Sequence, residues 1–193
     1  GHGSSLRRID QDRVVNRLDV LMAIKRDRTT LSMRISETVI ETLDGKSLGF
    51  ESDQNLGTLG MKIIGKVNDQ GAFDVTITTG GVVQNRQIDW PAGALMNHGL
   101  SLRLQREGLH EGVTFAVKVF SPSTLEALET VVTVKGKKEI DLLGRVVELT
   151  EVLTETQMGS TTLPAWSYMD DDGNHSRPIE WDPSCPPAAL EYV

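Results

Sequence analysis

The chain has 193 residues, enough for one ordinary domain or two very small ones. Hydrophobic residues make up 38% and aromatics only 5%, so a core is expected to rest on Val, Leu and Ile more than on rings. The net charge of -7 is uneven: residues 1–34 hold eight Lys/Arg against four Asp/Glu, and an acidic body of this kind argues against a nucleic-acid surface.

The basic N-terminal stretch carries Arg7, Arg8, Arg13, Arg17, Lys25, Arg26, Arg28 and Arg34. Acidic residues are interleaved with these, which predicts a solvated edge strand rather than an anion site. Gly1-His2-Gly3 reads as an expression scar, so residues 1–14 are taken as scar and arm. A β-rich domain is expected over 15–181, with no internal boundary, and a Pro-rich tail or linker over 182–193.

The dominant hydrophobic period is two. Leu18, Val20, Met22 and Ile24 alternate with polar or small neighbours, as do Leu31, Met33 and Ile35. Phe73, Val75 and Ile77 repeat the pattern, and so do Val113, Phe115, Val117 and Val119. Alternation sends successive side chains to opposite faces, so each run predicts a strand with one buried face. Tight turns are expected at Asp44-Gly45, Gln70-Gly71, Gly80-Gly81, Lys135-Gly136 and Asp172-Gly173. The predicted fold is mainly β: a single curved antiparallel sheet (meander, roll or half-barrel) with one or two short helical segments. One such segment is expected after Trp90-Pro91, with Pro91 in the first turn, and another short one after Ser121-Pro122-Ser123.

Catalytic signatures are not found. Cys185 is followed by two prolines, and no serine lies in a Gly-x-Ser-x-Gly elbow. No cofactor is expected, because the glycines at 57, 60 and 65 do not have a nucleotide-binding spacing. His98 and His110 lack the i, i+4 spacing of a helical metal pair. Asp170, Asp171 and Asp172 are the carboxylates a calcium ion would use, but the EF-hand pattern fails at Ile179 and a hairpin turn accounts for Asp172-Gly173. Trp90, His98, His110, Trp166 and His175, polar-tipped or aromatic and near turns, are the candidate surface or ligand contacts.

The order of segments carries one further reading. ISETVIETLDGKSLGFES is followed by GKVNDQGAFDVTITTGG, IDWPAGAL, GLHEGVTFAVKVFSP, VVTVKGKKEIDLLGRVVELTEV and WSYMDDDGNHSRP. Over residues 15–180 this resembles the non-catalytic domain that precedes the core in many exported bacterial transglutaminase-like proteins. The resemblance implies a periplasmic or other extracytoplasmic location. It also implies, as partner, a C-terminal transglutaminase-like domain or a cell-envelope component. The family's Cys, His and Asp belong to a core C-terminal to this region, so no catalytic residue is carried over. The expected function is therefore that of an accessory or interaction domain. A different class is a carrier of an acyl chain or other apolar ligand, suggested by aliphatic alternation on a curved sheet. In that case Leu95, Met96, Leu100, Leu102 and Leu104 compete to fill the hollow themselves. A hydrolase with an unrecognised site is the third alternative.

Overall fold

The computed structural model describes residues 2–26, 29–57, 59–142, 145–170 and 175–176. The fold is mainly β, antiparallel, with one short helix, as the alternation predicts. The strands are divided between two sheets, of seven and six strands, where one sheet was expected.

The first sheet is an uninterrupted meander in chain order. Its strands are β1 (His2–Asp10), β2 (Arg13–Arg26), β3 (Thr29–Thr42), β4 (Ser47–Leu56), β5 (Leu59–Val67), β6 (Phe73–Thr79) and β7 (Val82–Ile88). The turns at Asp44-Gly45, Gln70-Gly71 and Gly80-Gly81 fall where expected. At the second of these, Asn68 Oδ1 accepts from the amides of Gln70 and Ala72, at 3.0 and 3.1 Å, and its own backbone N–H donates to the Ala72 carbonyl at 2.8 Å.

Between β7 and the next long strand the hairpin rhythm fails. Pro91 cannot donate to a ladder, and Gly93 turns the chain with φ +74°. The amide of Ala94 closes onto the Pro91 carbonyl at 3.0 Å, and a two-residue strand, β8 (Ala94–Leu95), follows. The helix α1 (Asn97–Glu107) therefore starts beyond the position predicted from Pro91. The second sheet then takes β9 (Thr114–Ser121), β10 (Glu126–Leu142), β11 (Arg145–Met158), β12 (Thr161–Met169) and β13 (His175–Ser176), in the order β13-β12-β11-β10-β9-β8. The expected helical turn after Ser121-Pro122-Ser123 is instead a tight hairpin closed by Leu125 N–H on the Ser121 carbonyl at 2.8 Å. Lys135-Gly136 is not a hairpin turn. It lies inside β10, where the register slips between Val134 and Gly136 and Gly136 has φ +101°. A glycine that adopts positive φ within a strand makes a bulge, and the chain continues to Leu142 before returning.

By contacts the chain forms two compact units: Gly1–Gly99 with Phe120–Ala127, and Leu100–Val119 with Leu128–Val193. The core of the first is more aromatic than composition suggests. Phe50 stacks on Phe73 at 5.5 Å and meets Phe120 at 5.3 Å, while Trp90 lies 5.1 Å from Phe73 and 4.8 Å from Phe120. Three of the chain's four phenylalanines are thus gathered in one place, and each ring pair adds about 0.5–1.5 kcal/mol beyond burial. Val39, Ile63, Val75, Ala94 and Met96 complete this cluster. Gly65 makes room for it, since a Cβ there would lie 2.2 Å from Phe50 Cζ. The second unit has an aliphatic core of Leu104, Val132, Val134, Val152 and Met169, flanked by Leu100, Leu109, Val113, Phe115 and Val117.

Candidate functional site

Register and alternation define the inner face of the seven-stranded sheet. Val14 on β2 lies opposite Glu41 on β3, Asn16 opposite Val39, Leu18 opposite Glu37, Val20 opposite Ile35 and Met22 opposite Met33. On β4, Phe50, Ser52 and Gln54 face Val39, Glu37 and Ile35, and on β5 they face Gly65, Ile63 and Met61. Ile63 continues to Ile77 on β6. One end of this face is closed by the aromatic cluster. Toward the other end Leu18, Val20, Met22, Met33 and Ile35 are only half-buried, while the half-buried Met61 and Ile77 pack against the aromatic cluster. Five apolar side chains from β2 and β3, in adjacent register and all partly open to solvent, are the least ordinary surface feature of this unit.

A polar row of Glu37, Ser52 and Gln54 borders these side chains on β3 and β4. Ser52 Oγ donates to Glu37 Oε1 at 3.4 Å, and Gln54 Nε2 donates to Ser52 Oγ at 3.4 Å and to the Ser123 carbonyl at 3.1 Å. The Ser123 hydroxyl and amide also serve Glu37. Burial pushes the Glu37 carboxyl above its ordinary value, against the hydrogen bonds that favour its charge. The serine hydroxyls meet a carboxylate rather than a histidine, so this row ties the Ser121–Leu125 turn across the sheet and has no activated nucleophile.

The second buried carboxyl, Glu41, closes a helix end. Its Oε2 accepts from His98 N–H at 2.7 Å and its Oε1 from Gly99 N–H at 2.8 Å. Helix α1 has no acidic residue in its own first turn, and Glu41 supplies the negative charge its N-terminus attracts. Desolvation nevertheless raises the Glu41 carboxyl above its ordinary value. The outer face of the sheet is polar. A groove of about 370 Å³ is lined by Arg17, Arg34, Ser36, Thr38, Glu51 and Asp53.

No family model matches this chain. No curated protein matches it either. Among solved structures, the crystal structure of a DUF1089 family protein from Pseudomonas aeruginosa is similar at a TM-score of 0.48 and 15% identity, over 100% of this chain and 93% of that one.

The residues singled out by sequence are scattered. Trp90 is a core residue: its ring is packed among phenylalanines and its Nε1–H donates to the Ala94 carbonyl at 3.2 Å. His98 is 5% exposed and fully engaged at the start of α1. His110 is exposed in the turn before β9. Trp166 is half-buried on β12, opposite Leu153 on β11. His175 lies on β13 opposite Met169. Asp170 follows β12 and is half-buried, whereas Asp171, Asp172 and Cys185 lie outside the described residues. Among the described residues no group of three or more His, Cys, Asp or Glu is arranged to hold a metal ion, and no helix is long and apolar enough to cross a membrane. Of the competing apolar residues, Met96 is used in the first core and Leu100 and Leu104 in the second. Sequence reasoning missed Glu37, Glu41 and Gln54. Their signal was available: Glu37 and Glu41 occupy the inward phase of the alternation Ile35, Glu37, Val39, Glu41.

Proposed function

We propose that this chain is a non-catalytic binding domain whose seven-stranded sheet takes an elongated apolar ligand, such as an acyl chain, on the open part of its inner face. The observation that supports this is the strip formed by Leu18, Val20, Met22, Met33 and Ile35, half-buried and in adjacent register across β2 and β3. Two of its members, Met22 and Met33, are methionines, whose flexible, polarisable side chains adapt to apolar partners of varied shape. A solvent-facing strand surface would carry polar residues at these positions, as the opposite face does with Arg17, Asp19, Arg34 and Ser36.

An accessory role beside a transglutaminase-like core, in an extracytoplasmic protein, rests on the order of sequence segments. It is compatible with a binding role, because neither asks for catalytic residues in this chain. The test is native mass spectrometry of the purified protein followed by addition of a fluorescent fatty-acid probe. A co-purifying mass of a few hundred daltons lost on denaturation, or saturable probe binding at one site, supports the reading. A bare chain that does not bind the probe overturns it, and a dimer that excludes the probe assigns the strip to a second copy instead.

A further inference from the structure

The N-terminal strand β1 is an edge strand, and its exposed side chains give it little hold on the core. Leu6 and Ile9 are 59% and 63% exposed, and the ion pair of Arg8 with Asp10 stays within the strand. Arg7 is different. It lies opposite Asn16 on the inner face, and its Nη2 is 3.1 Å from Nδ1 of His98, itself 5% exposed. A guanidinium only donates, so Nδ1 is the acceptor and the imidazole proton is on Nε2. That proton is used as well: Nε2 donates to the Leu43 carbonyl at 3.1 Å. The two contacts together require neutral His98 in a single tautomer. A second proton would have to go on Nδ1, where it would replace the lone pair Arg7 uses and place two cations in contact.

We propose that the Arg7–His98 contact is an acid-released latch that holds β1 on the edge of the seven-stranded sheet. The surroundings of His98 oppose a second proton, with the Leu43 carbonyl the exception. Arg7 approaches from β1 and opposes a proton, and the carbonyl of Leu43 engages the other ring nitrogen. Glu41, from β3, is occupied by the His98 and Gly99 amides, and α1 has no acidic residue in its first turn. Desolvation first, and then the charge of Arg7, hold the imidazole below its ordinary range, while the Leu43 hydrogen bond opposes them. Docked β1 thus binds fewer protons at His98 than released β1, where Arg7 no longer opposes protonation in the histidine range. Docking is unperturbed above that range and weakens as pH falls through it. It stops weakening once His98 is protonated in the docked state. Release would uncover the edge of β2, with Val14, Asn16 and Leu18 on its inner phase. The latch needs no ligand and stands apart from the apolar-strip reading.

The test is amide hydrogen exchange on the full chain from about pH 7 to about pH 4, with β5 and β6 as internal reference. Protection of residues 4–9 is expected to fall as pH drops through the histidine range, by no more than about tenfold per pH unit, and then level off. His98→Gln keeps an acceptor for Arg7 and a donor for Leu43 but does not titrate, so its β1 protection is expected to be flat. Arg7→Met is expected to leave β1 poorly protected at every pH and to move the His98 NMR titration upward. A flat wild-type profile overturns the proposal, as does the same slope in His98→Gln or an unmoved titration in Arg7→Met.

Discussion

Glu37 and Glu41 share the inward phase of β3 with Val39, and the protein treats the two carboxyls differently. Glu41 is held by two helix amides, so its charge has defined partners at the start of α1. Glu37 has serine donors, and burial wins over them in setting its acidity, as it does over the amides at Glu41. The sign of the consequence follows from linkage. Its folded value lies above the ordinary 4.5, so the stability it contributes is complete below that value and is lost as pH rises through the folded one. Glu37→Gln keeps an acceptor for Ser52 and Ser123 and removes the ionisation. The variant is therefore expected to be at least as stable as wild type at neutral pH, with the difference shrinking toward about pH 4. Urea denaturation across that range checks it, and a neutral-pH loss above about 1 kcal/mol would contradict it.

Among elements, β10 and the outer face of β2–β4 make the clearest cases. The bulge at Gly136 depends on φ +101°, a region that side chains enter at a cost, and a Cβ there would meet Glu111 Oε2 at 3.1 Å. Gly136→Ala is expected to lose about 1–3 kcal/mol, read by chemical denaturation. If it is neutral, the bulge is not a constraint on β10. On the outer face Arg17 grips Asp19 through Nε at 2.7 Å, Ser36 Oγ donates to Asp19 at 2.5 Å and Arg34 stands 3.7 Å away. This clasp holds the Asp19 carboxyl down to about 2. Its contribution is present above the ordinary 3.8 and disappears as pH falls through about 2. An NMR titration should find Asp19 near that value in wild type and closer to 3.8 in Arg17→Met. An unshifted Asp19 in the variant would remove Arg17 as the main cause.

Much of this architecture was legible because alternation is a local signal. Leu18, Val20 and Met22 announce one phase of β2, and Asp44-Gly45 and Gly80-Gly81 mark the hairpins that follow. What was misread depends on partners distant in sequence. Lys135-Gly136 has the chemistry of a turn, and only the pairing of Val134 with Val152 and of Gly136 with Glu151 on β11 makes it a bulge inside a long strand. The start of α1 is set by Glu41, fifty-seven residues away from His98, so no N-cap signal near Pro91 could locate it. The separation into two sheets follows from the stretch after Ile88, where Pro91 and Gly93 end the hairpin rhythm but do not say which strands pair next. The site was the least legible part, since Trp90 and His98, chosen as surface contacts, are used by the fold itself.

For the molecule as a whole, the central claim is that one unit keeps part of its sheet's inner face open for an apolar chain. Ile35 lies in the middle of that strip, between Val20 on β2 and Gln54 on β4, and away from the aromatic cluster. The decisive measurement is titration of a fluorescent acyl probe into wild type and Ile35→Lys, with circular dichroism showing that the variant keeps its sheet. A charge set among apolar side chains should weaken binding about tenfold or more while the fold persists. Equal affinity in a folded Ile35→Lys, or no binding by wild type, would contradict the claim.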